Sequence, residues 1–320
     1  MKKTIVYMVS AFAAAAACGD WVYEGGWGAQ GRGDGEFYFP RSVACAPAGN
    51  VYVADTSNNR IQYFTADGSL LGKWGKVGSL EGQFKNPRHL AVNPAGRVYV
   101  ADGGNSRVQY FTASGSFLGA WGSEGTGDGE FDIPRGLALA PNGNVYIADT
   151  DNFRVQYFTS SGSFLGKWGS EGKGDGEFDL PRGLAVAPNG NVYVADSQNH
   201  RIQYFTPAGS FLGKWGSLGN APGKMQSLTD AAVAPDGTVF VADLANFHIQ
   251  YFTPAGSFLG MWGKKGDGPG EFNYAYGVAV SSDGRRVYTA EMRNHRVQYF
   301  RESDPAVLPT SLGRVKALFN

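Results

Sequence analysis

The sequence predicts an all-β fold in which one short unit is repeated six times around a closed ring. Tryptophan recurs every 47 residues, at Trp27, Trp74, Trp121, Trp168, Trp215 and Trp262. Ala-Asp and Gln-Tyr-Phe segments keep the same spacing except for a last interval of 48 residues, where Ala290-Glu291 replaces Ala-Asp. Glycine is abundant, with 47 copies in 320 residues. Repeats of this length are typical of solenoids and propellers, and strand-forming residues dominate each copy. We therefore expect a six-bladed β-propeller of four-stranded antiparallel blades.

Each unit contains four short runs that we expect to form strands. In the copy that begins at residue 178, these runs are GLAVA, NVYVAD, RIQYFT and SFLGKWG. The segments PNG, SQNH and PAG separate them, and residues of these types favour tight turns. No run has the length or the periodicity of a helix. The unit therefore predicts one four-stranded blade, with its first strand facing the central channel.

The N-terminal stretch WVYEGGWG, residues 21–28, resembles the fourth run of a unit that lacks the first three. Those three runs stand at the other end of the chain, where no tryptophan follows in phase and Pro309 occupies the expected region. We therefore predict that the N-terminal strand completes the last blade, which closes the ring and removes exposed sheet edges. The alternative is closure by SLGRVKALF, which begins at residue 311 and arrives about five residues late.

The chain divides into a signal peptide, a propeller and a C-terminal tail without an assigned role, which we place at residues 1–17, 18–300 and 301–320. Lys2 and Lys3 precede the apolar run TIVYMVSAFAAAAA, a pattern typical of export signals. The following AAAC resembles a bacterial lipobox that would lipidate Cys18, although Ala15 stands where that motif prefers leucine. The alternative is ordinary cleavage at Ala15 and Ala17, which yields a secreted or periplasmic protein. We expect an exported protein that contacts a membrane only through a lipid on Cys18.

Composition argues against a nucleic-acid partner and against a disulfide framework. The 28 basic and 28 acidic residues balance, whereas domains that bind nucleic acid are usually strongly basic, so we expect no nucleic-acid partner. Two cysteines do not indicate a disulfide framework. Cys45 stands where the equivalent segment of a later unit has valine, which indicates a small buried hydrophobic residue.

The units resemble NHL repeats, a family named for residues seen here at Asn199-His200 and Asn294-His295. The pattern FxxPxGxAV, GNVYVAD, NxR[IV]QxF and a glycine-rich link is present in nearly every copy, across residues 21–300. The resemblance implies the propeller fold. It leaves the function open, because NHL propellers include RNA-binding domains, protein-binding platforms, sensor ectodomains and the metal-dependent amidating lyases.

The most regular polar motif is Asp-x-x-Asn-x-Arg, as in Asp55, Asn58 and Arg60. It follows the second strand of a unit, where the carboxylate and the amide are able to cap a turn and the arginine is able to pair with the carboxylate. Its repetition from blade to blade indicates a structural role.

A second set of arginines is a better candidate for a functional site. Arg41, Arg88, Arg135 and Arg182 each follow a proline at the start of a first strand, the strand that lines the channel. Four guanidinium groups around one channel mouth would form a positive arc suited to a carboxylate, a phosphate or an acidic peptide. The alternative is that each arginine bonds the carbonyl or carboxylate groups of its own rim.

The last two units depart from the repeat, and the departures extend the candidate ligand-binding set. The set contains, in addition to the four arginines, Thr229, Asp230, His248, Tyr274, Tyr276 and Glu291. Clustered departures in a uniform array indicate either a specific site or drift beside the closing blade.

Enzymatic chemistry has little support in the sequence. Only four histidines are present, and no Ser-His-Asp arrangement or paired histidine spacing is visible. If a metal were bound, its candidate ligands would be His89, Asp230, His248 and Glu291. We therefore expect a non-catalytic binding platform of the cell envelope, without a cofactor, whose partner is an acidic or polar protein or glycan. The alternatives are a metal-dependent lyase or hydrolase at the channel mouth, similar to the amidating lyases or to lactonases, and an RNA-binding domain.

Overall fold

The computed structural model describes residues 20–303, and 24 strands in that part of the chain form six four-stranded antiparallel sheets. The sheets are the six blades of a β-propeller, which confirms the predicted fold class. The predicted signal peptide, Cys18 and the tail after Ser303 lie outside the described residues. Among the described residues, no helix has the length and apolar character needed to cross a membrane.

Blades 1, 2 and 3 each follow one continuous stretch of chain. Blade 1 contains β2 (Ser42–Cys45), β3 (Val51–Asp55), β4 (Arg60–Phe64) and β5 (Leu70–Trp74). Blade 2 contains β6 (Pro87–Val92), β7 (Val98–Asp102), β8 (Arg107–Phe111) and β9 (Phe117–Trp121). Blade 3 contains β10 (Pro134–Leu139), β11 (Val145–Asp149), β12 (Arg154–Phe158) and β13 (Phe164–Trp168). Short 3-10 turns connect the second and third strands of these blades, at Thr56–Asn58, Gly103–Asn105 and Thr150–Asn152.

Blades 4 and 5 are built in the same way, and blade 6 combines both ends of the propeller. Blade 4 contains β14 (Pro181–Val186), β15 (Val192–Asp196), β16 (Arg201–Phe205) and β17 (Phe211–Trp215). Blade 5 contains β18 (Leu228–Val233), β19 (Val239–Asp243), β20 (His248–Phe252) and β21 (Phe258–Trp262). Blade 6 contains β22 (Ala275–Val280), β23 (Arg286–Glu291), β24 (Arg296–Glu302) and β1 (Trp21–Trp27).

The N-terminal strand closes the ring, as predicted. β1 is the outermost strand of blade 6 and pairs antiparallel with β24, from Trp21 opposite Glu302 to Trp27 opposite Val297. β24 therefore has a ladder partner on each side, and the last blade has the same four-stranded order as the others. The alternative closing segment after residue 311 lies outside the described residues.

The first strands of the six blades form the wall of the channel. Each packs against the first strand of the next blade, in the order β2, β6, β10, β14, β18 and β22, and β22 packs against β2. All six begin at one rim, which also carries the links between blades and the turns between second and third strands. We call this the upper rim and the opposite one the lower rim.

The core lies between neighbouring blades, where the repeated aromatic residues meet. Trp27 at the end of blade 6 contacts Phe64 of blade 1, with 5.3 Å between ring centroids, and equivalent pairs join the other blades. Gly68 completes the contact, because a Cβ atom there would lie 2.6 Å from the Trp27 indole. The 47-residue spacing of tryptophan therefore records one packing contact at each boundary between blades.

The Asp-x-x-Asn-x-Arg motif fastens the links to the blades, which is the structural role predicted for it. Asp55 is fully buried and accepts hydrogen bonds from Asn58 Nδ2 at 2.9 Å and Arg60 Nε at 2.6 Å. The terminal nitrogens of Arg60 donate to the carbonyls of residues 32, 33 and 36 in the preceding link. The ion pair recurs at Asp102–Arg107, Asp149–Arg154 and Asp196–Arg201, and as Glu291–Arg296 in blade 6. These bonds hold every link to which the motif supplies an arginine.

Candidate anion site at the channel mouth

Six side chains surround the channel at the upper rim, one from each blade. They occupy the same position of the repeat, at or next to the start of the first strand, and are Arg41, Arg88, Arg135, Arg182, Thr229 and Tyr276. The predicted arc of four arginines is therefore present, and Thr229 and Tyr276 complete the circle. We call these six residues the arginine ring.

The guanidinium groups of the ring are close enough to repel one another. Burial, together with the charges of Arg135 and Arg41, lowers the pKa of Arg88 to about 10. Burial likewise lowers the pKa of Arg182. Both groups remain protonated at neutral pH, so the mouth of the channel carries a concentrated positive charge.

The ring arginines lack the hydrogen bonds that satisfy the arginines of the repeated motif. The Nε atom of each of the four is buried and has no hydrogen-bond partner among the described residues. Among the described residues, the one carboxylate within ion-pair distance of them is Asp151, whose Oδ1 lies 3.9 Å from Arg135. The alternative that each arginine bonds its own rim therefore applies to Arg135 alone among the four, because Asp151 belongs to the same blade. A buried donor without an acceptor is costly, so these four side chains are less well satisfied than the arginines of the repeated motif.

Tyr276 places an ionisable hydroxyl among these charges. The Arg41 guanidinium lies over its ring, 5.2 Å from the centroid. Burial alone would raise the pKa of Tyr276, but the four guanidinium groups together lower it below the ordinary value. The side chain therefore reports on the positive potential at the channel mouth.

A histidine and an aspartate meet across the channel beneath the ring. His89 of blade 2 approaches Asp230 of blade 5, with 3.1 Å between Nε2 and Oδ1. The backbone N–H groups of Ala231 and Val278 also donate to the buried Asp230 carboxylate, at 2.9 and 3.0 Å. Glycine stands at the equivalent position of three other blades, and at Gly183 a Cβ atom would lie 2.3 Å from Asp230 Cα. The pair therefore forms a floor below the ring.

The structure separates the remaining predicted residues from this mouth. Glu291 accepts hydrogen bonds from Asn294, Arg296 and Gln298, so it replaces aspartate in the link-fastening motif. His248 pairs with Asp243 in the register of the β19–β20 hairpin. Tyr274 lies on the upper rim with a left-handed backbone, φ 62°, and packs against Phe247 at 5.5 Å.

The four metal-ligand candidates do not converge. His89 and Asp230 are in contact, whereas His248 and Glu291 belong to the turns of two different blades. Within residues 20–303 no group of three or more histidine, cysteine, aspartate or glutamate side chains is placed to hold a metal ion.

Two features of the upper rim were not found from the sequence. Asp151 approaches the ring, although its repeat position holds serine, glycine, glutamine, alanine or arginine in the other blades. A groove of about 540 Å³ adjoins Arg41 and is lined also by Met292 and Arg293. Asp151, Met292 and Arg293 all depart from the repeat. In the sequence alone, such departures look the same as ordinary variation of surface residues.

The comparisons with known proteins agree with this architecture. The profile described as NHL repeat matches residues 37–64, 84–111, 131–158 and 178–205, one match in each of blades 1 to 4. A comparison with curated proteins finds no significant match.

Solved structures share the fold at low sequence identity. A streptogramin B lyase structure has 12% identity and a TM-score of 0.59, covering 83% of this chain and 94% of that one. A catalytically inactive variant of virginiamycin B lyase from Staphylococcus aureus, with quinupristin, has 14% identity and a TM-score of 0.58, covering 82% and 95%. A protein of unknown function from Bacteroides thetaiotaomicron has 16% identity and a TM-score of 0.68, covering 89% and 76%.

At sequence identities this low, the matches support a shared fold but do not indicate a shared activity. The family profile, the six repeats and the closed ring of blades agree with one another. The chain belongs to the NHL-repeat family, and its repeats are the blades of a six-bladed β-propeller.

Proposed function

We propose that this propeller is a binding platform and that the arginine ring binds an anionic group of its ligand, a carboxylate or a phosphate. The observation that carries the proposal is the cluster of four guanidinium groups around the channel mouth, of which only Arg135 has a carboxylate within ion-pair distance among the described residues. The partner would be an acidic protein or glycan that presents such a group to the channel mouth.

Charge balance supports an anionic ligand. Four guanidinium groups face the mouth, and within residues 20–303 Asp151 supplies the one carboxylate within ion-pair distance of them. Arginine presents its donors in a planar fork that matches the oxygens of carboxylate and phosphate. A ligand anion would pair with the guanidinium groups and relieve the mutual repulsion that the ring arginines experience.

Titration with inorganic phosphate tests the proposal. We expect the purified protein to bind phosphate in isothermal titration calorimetry, and Arg88→Gln to weaken that binding by about tenfold or more, because one charge-assisted hydrogen bond is lost. The matched control is Arg97→Gln at the lower rim, where Arg97 lies over the Tyr110 ring at 5.2 Å. Equal affinity in Arg88→Gln and Arg97→Gln would overturn the assignment of the site.

The second candidate is a lyase or hydrolase that uses the floor of the channel. It is favoured by the contact between His89 and Asp230 and by the lyases among the solved structures with this fold. Against it, His89 Nε2 is bonded to Asp230 and His89 Nδ1 is buried, so neither nitrogen is free to face a substrate in the ring. Incubation with quinupristin followed by mass spectrometry distinguishes the two. Turnover that His89→Ala abolishes would establish the enzyme and displace the platform.

We also propose export and lipidation at Cys18. β1 begins at the lower rim, because Trp21 pairs with Glu302 at the end of β24. A lipid on Cys18 would therefore hold the lower rim towards a membrane and leave the arginine ring facing away from it. The intact mass of protein extracted from membranes tests this, since the lipid adds its own mass to a chain that begins at Cys18.

A further inference from the structure

The groove beside the ring lies between blade 6 and blade 1. Its volume is about 540 Å³, and its walls come from the segment before β2 and from the β23–β24 turn. Arg41 lines the groove and also belongs to the arginine ring, so the two spaces share one side chain. A ligand with an anionic group in the ring would have this groove beside it.

The apolar part of the groove is rigidly held. Phe39 N–H donates to His295 Nδ1 at 3.1 Å, and the His295 ring lies 5.0 Å from the Phe39 ring. The Tyr38 ring also stacks on the His295 ring, with 5.6 Å between the ring centroids and an interplanar angle of 7°. Burial lowers the pKa of His295, which keeps the imidazole neutral at neutral pH. Phe39 and Met292 therefore offer a preformed apolar surface.

The edges of the groove are cationic. Arg41 stands at the channel side, and the exposed Arg293 extends over the Tyr274 ring at 4.8 Å. None of the described residues that line the groove is acidic.

This combination occurs at one of the six blade boundaries. Where blade 6 has Met292, blades 1 to 4 have the small residues Thr56, Gly103, Thr150 and Ser197, and blade 5 has Leu244. Where blade 6 has Arg293, the other blades have Ser57, Gly104, Asp151, Gln198 and Ala245. The groove is thus a departure from the repeat that combines an apolar surface with an added positive charge.

We propose that this groove is a second subsite, which takes an apolar body attached to the anion bound in the arginine ring. The inference rests on the proposed function and names the ligand class more closely: an anion that carries an aromatic or branched aliphatic group. The arginine ring supplies the charge recognition, and Met292 and Phe39 supply the apolar contact. A bare anion fills the first subsite alone.

Paired titrations test the subsite. We expect the purified protein to bind phenyl phosphate about tenfold more tightly than inorganic phosphate, because part of the phenyl surface leaves water. Phenylacetate against acetate is the carboxylate pair. Tighter binding of the aromatic member in either pair supports the subsite. Tighter binding in one pair alone also indicates whether the ligand carries a phosphate or a carboxylate.

Two substitutions test whether the groove provides the added affinity for phenyl phosphate. Met292→Thr, which installs the residue that blades 1 and 3 carry at this position, should abolish the advantage of phenyl phosphate and leave the affinity for phosphate unchanged. The matched control, Leu244→Thr at the blade 5 position, should keep the advantage. Circular dichroism on heating checks that both variants fold as the parent protein does.

The two proposals fail in different ways. If phosphate and acetate bind but neither aromatic group adds affinity, the subsite is overturned and the arginine ring stands. An advantage that persists unchanged in Met292→Thr also overturns the subsite. If none of the four anions binds, the arginine ring is overturned, and the subsite with it.

Discussion

An arginine side chain in this propeller has one of two environments, according to its position in the repeat. Arg60 donates to Asp55 and to three carbonyls, and its environment satisfies every nitrogen. Arg88 has a buried Nε without a partner and two positively charged neighbours. The first environment stabilises the fold, and the second leaves a positive charge without a hydrogen-bonded partner among the described residues.

Tyr276 provides a measurable readout of the second environment. We expect its hydroxyl to ionise at a lower pH than an ordinary tyrosine, because four guanidinium groups stabilise the phenolate more than burial opposes it. Phosphate in the ring should raise this pKa, since a second anion disfavours the phenolate. The ultraviolet absorbance of the protein minus that of Tyr276→Phe, followed against pH with and without phosphate, isolates this group. A pKa unaffected by phosphate would show that the anion binds elsewhere.

The elements of the blade show which parts of the fold were predictable. Strands, turns and the closing role of β1 followed from apolar patterning and a 47-residue period. The backbone before each first strand did not, because it is left-handed at residues other than glycine: Phe39, Asn86, Ile133, Leu180, Ser227 and Tyr274, with φ between 49° and 62°. Propensity disfavours that conformation for all of these side chains except asparagine. At Phe39, Asn86 and Ser227 it is accompanied by a hydrogen bond from the backbone N–H to a side chain of the preceding blade.

Blade 5 should have the least firmly held link. In blade 3, Arg154 fastens the preceding link, residues 123–133, by donating to the carbonyls of residues 126, 127 and 130. Blade 5 has His248 at the position equivalent to Arg154. The equivalent link, residues 217–227, keeps side-chain bonds from Asn246 and Gln250. We therefore expect amide protection factors about tenfold lower in residues 217–227, measured by hydrogen exchange.

Substitution at this position provides the control for the link. His248→Arg should raise the protection of residues 217–227 towards that of residues 123–133, whereas His248→Leu should not. Equal protection of the two links in the unmodified protein would contradict the role given to the motif.

At the scale of the whole molecule, closure brings distant residues together. His89 and Asp230 are separated by 141 residues, and they meet because blades 2 and 5 stand on opposite sides of the channel. The repeat predicts that both side chains line the channel, but their contact depends on how narrow the ring is. Glycine at Gly136, Gly183 and Gly277 permits that narrowness, since a Cβ atom at each would lie within 3 Å of the next blade.

The same geometry explains why the site was predicted in part. Equivalent positions of a repeat converge on one axis, so the four arginines were expected to form an arc. The groove at the boundary of blades 6 and 1 depends on Met292 and Arg293, which repetition does not mark. Single departures of this kind become interpretable only when the neighbouring blade is placed beside them.

The most direct test of the central claim is to locate a bound anion in a crystal. Crystals of the protein soaked in selenate, whose selenium scatters anomalously, would show its position without reference to affinity. We predict an anomalous peak at the channel mouth, within hydrogen-bonding distance of at least two of the ring arginines. Selenate bound elsewhere on the protein, with the arginine ring accessible in the crystal and without a peak, would contradict the account.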